Sequence, residues 1–522
     1  MTKQAKWSKL EHNGVAFPPP HDYRGLHINI KGSRIKLNSQ QEEMAYAWAK
    51  KKGTQYFDDS VFASNFLVDF RKTLPKEYSK VETKDLDFSE ILRHQEKEKE
   101  RVSQPDIRKH RSAERKRVRE ELKARYGYTK IDGKLTEVAN WMVEPPGLFI
   151  GRGGHPMRGR WKPRIYDEDV TLNLGREASM APGKWGRVAD HTSMWLARWI
   201  DKLTGKEKYV WLHDSASLRQ ERDKLKYEYA EKLAGKIGRL RKHIQKGMSS
   251  KNKDVRAIAV VCYLIDRLAM RVGDEKDEDE ADTVGASTLR VEHVELTRDT
   301  IYFDFLGKDS VRWQKTLRLD GVGNPVLKIF DEFLKGKRKD ELLFDGISSN
   351  SVNRFLVQAM PGLTAKVFRT FHSTAEVTNY LKHHDILKNS DFEYEKIYQA
   401  KLANLQAAIR CNHKKTLPKN WDESLAKKEE RLKTLLTHKP KTERAHERLM
   451  IRIKKQRLTI DLAKKTKEYN LNTSLRNYID PRVYKAWSNH VNLDLGRIYP
   501  KSLHRKISWT NRTKVSWERL KR

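Results

Sequence analysis

Four basic side chains and one tyrosine stand where they could do chemistry with no cofactor: Arg271, Lys308, Arg369, His413 and Tyr478. A phenol can act as a nucleophile, and arginine, lysine and histidine can stabilise developing negative charge or deliver a proton. Each residue also has an ordinary reading. Arg271 ends an apolar helix predicted to begin near Val255, where an arginine commonly caps or snorkels. Lys308 sits in Gly307-Lys308-Asp309-Ser310 between two strand-like runs, a natural place for a solvated turn lysine. Arg369 lies in LTAKVFRTFH near a predicted helix start. His413 extends the stripe Tyr398, Leu402, Leu405, Ile409 by one further step of four, and such a histidine is usually a satisfied core residue. Tyr478 lies in SLRNYIDPR, just before a helix capped by Asp480 and begun by Pro481. Taken singly, none of the five decides a function.

The elements that must hold them follow from periodicity and punctuation. Ile91 to Tyr126 is highly charged and broken by Pro105, which predicts two solvated helices. Glu144 to Ile165 (EPPGLFIGRGGHPMRGRWKPRI) is rich in glycine and arginine. It reads as a surface loop, or as one that brings Arg152, Arg158, Arg160, Lys162 and Arg164 against a phosphate backbone. A helical region runs from Ser217 to about Val272, and the acidic run Asp274 to Asp282 after it reads as a solvated loop without metal-loop spacing. TLRVEHVEL, TIYFDFL and VRWQKTLRL are predicted strands, the last with Val311, Trp313, Leu317 and Leu319 on one face. From Ser424, the stripes Leu425, Leu432, Leu436 and Leu449, Ile453, Ile460, Ala463 predict two helices joined at Pro440 as an antiparallel hairpin.

Composition narrows the partner. The chain has 522 residues, with 107 Lys+Arg against 70 Asp+Glu, for a formal net charge of +37. That charge seeks a polyanion, while 37% hydrophobic residues suffice for sizeable cores. The longest apolar run, Ala257 to Ile265, is far short of the ~20 residues of a membrane span. The N-terminus has no apolar leader core, and two cysteines cannot build a disulfide framework or a cysteine-based zinc site. None of the six Gly-Lys pairs is followed by Ser or Thr, so no Walker A phosphate cradle is visible. GRGGHP lacks the third glycine of a dinucleotide fingerprint, and there is no HExxH. A reaction on nucleic acid would have to run on protein side chains.

In chain order the five residues sit in longer runs: VCYLIDRLAMRVGDEKDEDEADTVGASTLRVEHVEL, DFLGKDSVR, LTAKVFRT, CNHKK and SLRNYIDPRVYKAW. Together these resemble the catalytic core of type IB DNA topoisomerases of the eukaryotic and archaeal branch. The likeness continues upstream in EPPGLFIGRGGHP and KWSKLEHNGVAFPPP and covers nearly the whole chain. Eukaryotic members usually carry a long charged N-terminal arm and a longer linker hairpin. The departures here set the expectation of an archaeal protein, DNA-associated in the cytoplasm or nucleoid, with the nucleus as the alternative if it is eukaryotic.

The resemblance implies an α+β bilobed DNA clamp. Its parts would be a short N-terminal extension (1–20), a mixed α/β cap lobe (21–216) and a mainly α catalytic lobe of tyrosine-recombinase type with a small β-sheet (217–420). A coiled-coil linker (421–467) and a C-terminal domain carrying the nucleophile (468–522) would follow. Tyr478 would form a 3′-phosphotyrosine, Arg271, Arg369 and His413 would bind the non-bridging oxygens, and Lys308 would protonate the leaving 5′-oxygen. The same resemblance implies DNA contacts for Arg152, Lys162, Arg164, Asp309, Lys366 and Asn477, with Asn477 and Arg152 at positions bordering the cleavage site. It implies double-stranded DNA with minimal sequence specificity as partner, a monomer, no metal ligands and no required cofactor, divalent cations being at most stimulatory. Two other classes remain in play. A tyrosine recombinase uses a similar constellation, but usually with a histidine where this chain has Lys366. An architectural DNA binder would explain +37 but not five ordered residues.

Overall fold

The computed structural model describes residues 5–521 except 180, 275–282, 320–323, 385–386 and 388–389. All but Asp274 of the acidic run therefore lies outside the described residues. Mixed α/β throughout, the chain divides into two compact units, Met1–Arg219 and Gln220–Lys276 with Asp282–Arg522, the few residues between the latter two falling in the undescribed run.

The first unit holds two cores. One gathers Trp48, Phe62, Phe66 and Phe70 from the helices Ser39–Ala49 and Ser60–Arg71, with Trp48 and Phe66 stacked at 4.7 Å. The other packs Trp7, Leu10, Leu172 and Trp199 around a four-stranded sheet ordered Gly186–Val188, Val170–Asn173, Trp195–Ile200, Glu207–Trp211. The expected extension at residues 1–20 is corrected here. From residue 5 onward it is part of the fold, with Trp7 and Leu10 buried and strand Leu10–His12 paired antiparallel to Tyr128–Ile131. The charged stretch forms the helices Ser89–Ser103 and Pro105–Tyr126, the second burying no residue at all.

His12 gives this unit a pH dependence. Its Nε2–H donates to the Asn173 carbonyl at 2.9 Å, and its Nδ1 accepts from the Gly14 N–H at 3.1 Å, which defines a neutral ring. Burial lowers its pKa from 6.5 to about 4. The unfolded chain thus binds a proton that the folded unit refuses, so stability is full above pH 6.5 and falls toward pH 4. A shift from 6.5 to about 4 corresponds to something on the order of 3 kcal/mol. Thermal melts should therefore drop across that window, and His12→Gln, which keeps a donor for Asn173, should flatten the slope. Identical slopes in both proteins would reject this role.

In the second unit the helices Ser217–Met248 and Lys253–Leu268 lead to a three-stranded antiparallel sheet, Val294–Leu296, Thr300–Gly307 and Val311–Arg318. The first predicted strand is mostly not a strand. Ala286–Thr288 and Val291–His293 are single 3₁₀ turns, Arg290 makes an isolated antiparallel bridge to Leu342, and the strand itself is Val294–Leu296. The helices Ala365–Lys382 and Glu393–Arg410 then pack on Leu471–Asn477 and Pro481–His490. One core joins Val377, Leu381, Ala400 and Ala403 to Ile479, Tyr484 and Trp487, so the C-terminal segment shares its interior with the helices before it.

The helices Trp421–Thr437 and Glu443–Lys465 pack antiparallel on Leu435, Leu449 and Ile453, with Gln456 Nε2 donating to the Lys428 carbonyl at 2.7 Å. The predicted stripe is off by one residue at its end. Leu435 is 6% exposed, whereas Leu436 is 52% exposed.

Candidate active site

Two of the proposed catalytic residues lie just outside the helices that deliver them, contrary to expectation. The apolar helix stops at Leu268, and Ala269 turns the chain with φ +53°, so Arg271 stands in the following loop. That loop is locked by Gly273 and Gly285. A β-carbon on Gly285 would lie 2.5 Å from the Gly273 nitrogen, and Ala286 N–H donates to the Arg271 carbonyl at 2.9 Å. His413 likewise does not continue its stripe. The helix ends at Arg410, Asn412 takes φ +52°, and the His413 N–H donates back to the Ala408 carbonyl at 2.8 Å. A strict step of four from Ile409 would have left the ring near an exposed face, since Ile409 is 41% exposed.

The other three lie as expected. Lys308 is exposed at the tip between the strands Thr300–Gly307 and Val311–Arg318, where Asp309 and Ser310 both have positive φ. Arg369 is in the second turn of Ala365–Lys382 and is 3% exposed. Tyr478 closes Leu471–Asn477, and Asp480 caps the next helix by accepting from the Arg482 N–H.

Arg271, Lys308, Asp309, Arg369 and His413 line one cavity of ≈ 280 Å³. Arg369 donates to the Ala269 carbonyl at 2.6 Å, the Cys411 carbonyl at 2.8 Å and His413 Nε2 at 2.9 Å. A guanidinium only donates, so His413 Nε2 accepts and the ring proton sits on Nδ1, 3.1 Å from Ser474 Oγ. Tyr478, 5% exposed, stacks on His413 with ring centroids 5.2 Å apart, and the Arg369 guanidinium lies 4.9 Å from its centroid.

These contacts set the protonation states. Burial, then Arg369 and Arg271, lower the His413 pKa to about 3, so the ring is neutral at physiological pH. For Tyr478, burial alone raises the pKa, but the charges and hydrogen bonds of Arg369 and Arg271 outweigh it and the net shift is downward. The site thus favours a phenolate more than water does.

Support comes from behind. Asp266, 2% exposed, accepts from His372 Nε2 at 2.9 Å and Arg241 Nε at 2.7 Å, which ties the Lys253–Leu268 helix to the Arg369 helix. Burial would raise its pKa, yet these partners bring it down to about 2, so the carboxylate stays charged.

The remaining expected contacts are divided between the two units. Asn477 is exposed, its Nδ2 donating to the Thr473 carbonyl at 3.2 Å, and Lys366 is exposed on the Ala365–Lys382 helix; neither lines the cavity. In the first unit, Arg152 is exposed. Lys162 instead pairs with Glu144 and with Asp201 at 2.8 Å, and Arg164 pairs with Glu43 at 3.1 Å. Arg158 and Arg160 pair with Asp59 and Asp69 at 2.6 and 2.7 Å. Arg158, Arg160, Lys162 and Arg164 are therefore committed to carboxylates of their own unit. Sequence reading also passed over Lys315, whose ammonium donates to the carbonyls of Leu268 and Arg410. The signal was present, because the alternation Val311, Trp313, Leu317 runs through it.

Three family models match in succession: the DNA binding fragment of eukaryotic DNA topoisomerase I over residues 5–212, its catalytic core over 215–446, and the C-terminal topoisomerase domain over 450–519. DNA topoisomerase 1 beta of Arabidopsis thaliana is 37% identical over 97% of the chain, which spans 58% of that protein's length. Human DNA topoisomerase 1 is 34% identical, with 97% and 70% covered, and the mitochondrial DNA topoisomerase I of Rattus norvegicus is 32% identical, with 97% and 91% covered. These relatives are eukaryotic, and the expectation of an archaeal source draws no support from them. Agreement over almost the full sequence, with relatives matched across most of their own length, makes this chain a member of the type IB DNA topoisomerase family.

Proposed function

We propose that this protein relaxes supercoiled DNA by transient cleavage of one strand through a 3′-phosphotyrosine. The observation that carries the reading is a buried tyrosine packed against the hydrogen-bonded pair Arg369 and His413, beside a cavity that also presents Arg271 and Lys308. Tyr478 attacks the scissile phosphorus and the 5′-oxygen leaves, so one P–O bond forms as another breaks. Its proton passes to water, since His413 stacks on the phenol ring rather than standing in line with the hydroxyl. Arg271 and Arg369 bind the non-bridging oxygens, where negative charge grows in the transition state. Burial and the two arginine charges hold the His413 ring neutral, and it joins them when the charge of the phosphate counters that bias. Lys308, on a short tip, protonates the departing 5′-oxygen. The phosphotyrosine retains the bond energy, so the 5′-hydroxyl reseals the strand without ATP, and rotation in between removes supercoils of either sign.

In this reading the two units act as the lobes of a clamp on double-stranded DNA, with Arg152, Lys162, Arg164, Asp309, Lys366 and Asn477 along its path. Lys162 and Arg164 must exchange their present carboxylate partners to reach phosphate. The helical pair at 421–467 serves as a coiled-coil linker beside the rotating duplex, and residues 468–522 deliver the nucleophile. The enzyme works as a monomer with little sequence specificity and needs no metal, divalent cations only assisting. It resides with DNA, in the nucleus if the source is eukaryotic.

Purified protein should relax both positively and negatively supercoiled plasmid in EDTA without ATP, and detergent should trap protein on the 3′ end of the nick. Relaxation abolished by EDTA, or adducts only on paired specific sites as a recombinase requires, would reject the proposal.

A further inference from the structure

We propose that Lys315 is a positioning residue that ties together the two helix ends from which Arg271 and His413 emerge. This rests on the type IB reading above. Lys315 belongs to the inward face of strand Val311–Arg318, between Trp313 and Leu317, which are 6% and 8% exposed. An apolar side chain is the ordinary occupant of such a position, because burying an ammonium costs free energy unless its donors find partners.

The partners here are specific. Lys315 Nζ donates to the Arg410 carbonyl at 2.7 Å and the Leu268 carbonyl at 3.3 Å. These are the last residues of Glu393–Arg410 and Lys253–Leu268. The final carbonyls of a helix have no partner inside it and form the negative end of its dipole, so one cation shared by two such ends satisfies both. Arg369 repeats the pattern one residue further along each chain, donating to Ala269 and Cys411. Two cations therefore stitch the same pair of turns. Immediately beyond, Ala269 and Asn412 take left-handed conformations, and Arg271 and His413 each stand three residues past a carbonyl held by Lys315.

The arrangement is specific to position rather than to stability alone. Arg369 cannot hold the turns unaided, because its guanidinium must also face the phosphate. Removing Lys315 leaves two helix-end carbonyls unpaired in the interior and frees the turns to move relative to each other. That displaces Arg271 and His413 together, and small displacements of catalytic groups cost about a hundredfold in rate. Around Lys315, Arg410 and Arg369 oppose its charge, while Glu376 and Cys411 favour it and the Trp313 ring lies 5.5 Å away. Burial is the largest influence on its basicity and lowers it, with a pKa of about 8.

The test is single-turnover cleavage of a duplex whose short cleaved fragment diffuses away, with Lys315→Met and Lys315→Gln made alone and in a His413→Ala background. Lys315→Met should lower the cleavage rate about 10- to 100-fold while duplex affinity stays within about threefold. Lys315→Gln, whose amide reaches one carbonyl, should recover part of the loss. In the His413→Ala background the Met substitution should cost severalfold less, since one of the groups it positions is already gone. Four outcomes overturn the inference: cleavage by Lys315→Met at the wild-type rate, an equal loss in both backgrounds, parallel losses of affinity and rate, or loss of a cooperative melt in both variants. A wild-type protein that forms no adduct would instead bring down the type IB reading itself.

Discussion

Tyr478→Phe is expected to bind supercoiled DNA as tightly as the wild type and to form no covalent adduct. The change removes one oxygen and nothing else. The phenyl ring keeps its stack on His413 at 5.2 Å and its place under the Arg369 guanidinium at 4.9 Å, so the local packing survives. Tyr478 is 5% exposed, and Phe in that slot leaves no cavity larger than the missing hydroxyl. Loss of a nucleophile lowers turnover by on the order of 10⁴-fold or more. The check is detergent trapping on end-labelled duplex alongside a binding titration. An adduct in the mutant would move the nucleophile elsewhere.

Lys308→Ala should slow cleavage of ordinary DNA by about 10²- to 10⁴-fold, the usual worth of a general acid. On a duplex with a 5′-bridging phosphorothiolate most of that defect should disappear. A thiolate leaves without being protonated, so only the acid's contribution is lost. The tip supports this division. Lys308 is exposed on a turn where Asp309 has φ +67° and Ser310 φ +56°, whereas Arg369 is buried and held by three acceptors. A long side chain on an exposed tip can follow a leaving group; a clamped guanidinium cannot. Arg369→Ala should accordingly show no thiolate rescue. Equal defects of Lys308→Ala on both substrates would reduce Lys308 to a DNA-positioning role.

Much of the site was legible in the residue order. Gly307-Lys308-Asp309-Ser310 between two alternating runs determines a hairpin tip, and Asp480-Pro481 determines a helix start beside Tyr478, because turns and caps are decided by neighbours in the chain. Pro105 divided the charged helices for the same reason. Tertiary structure decided the rest. Arg271 and His413 leave their helices through left-handed Ala269 and Asn412, and no periodicity marks such an exit in residues that are not glycine. The partners that fix Arg369 lie 100 and 42 positions away at Ala269 and Cys411, beyond any pattern rule. Lys162 and Arg164 looked like phosphate ligands from composition, yet Asp201 and Glu43, brought from elsewhere in the fold, claim them, with Glu144 of the same stretch also on Lys162. A sequence states which charges exist; which of them neutralise one another depends on distances that only the folded chain sets.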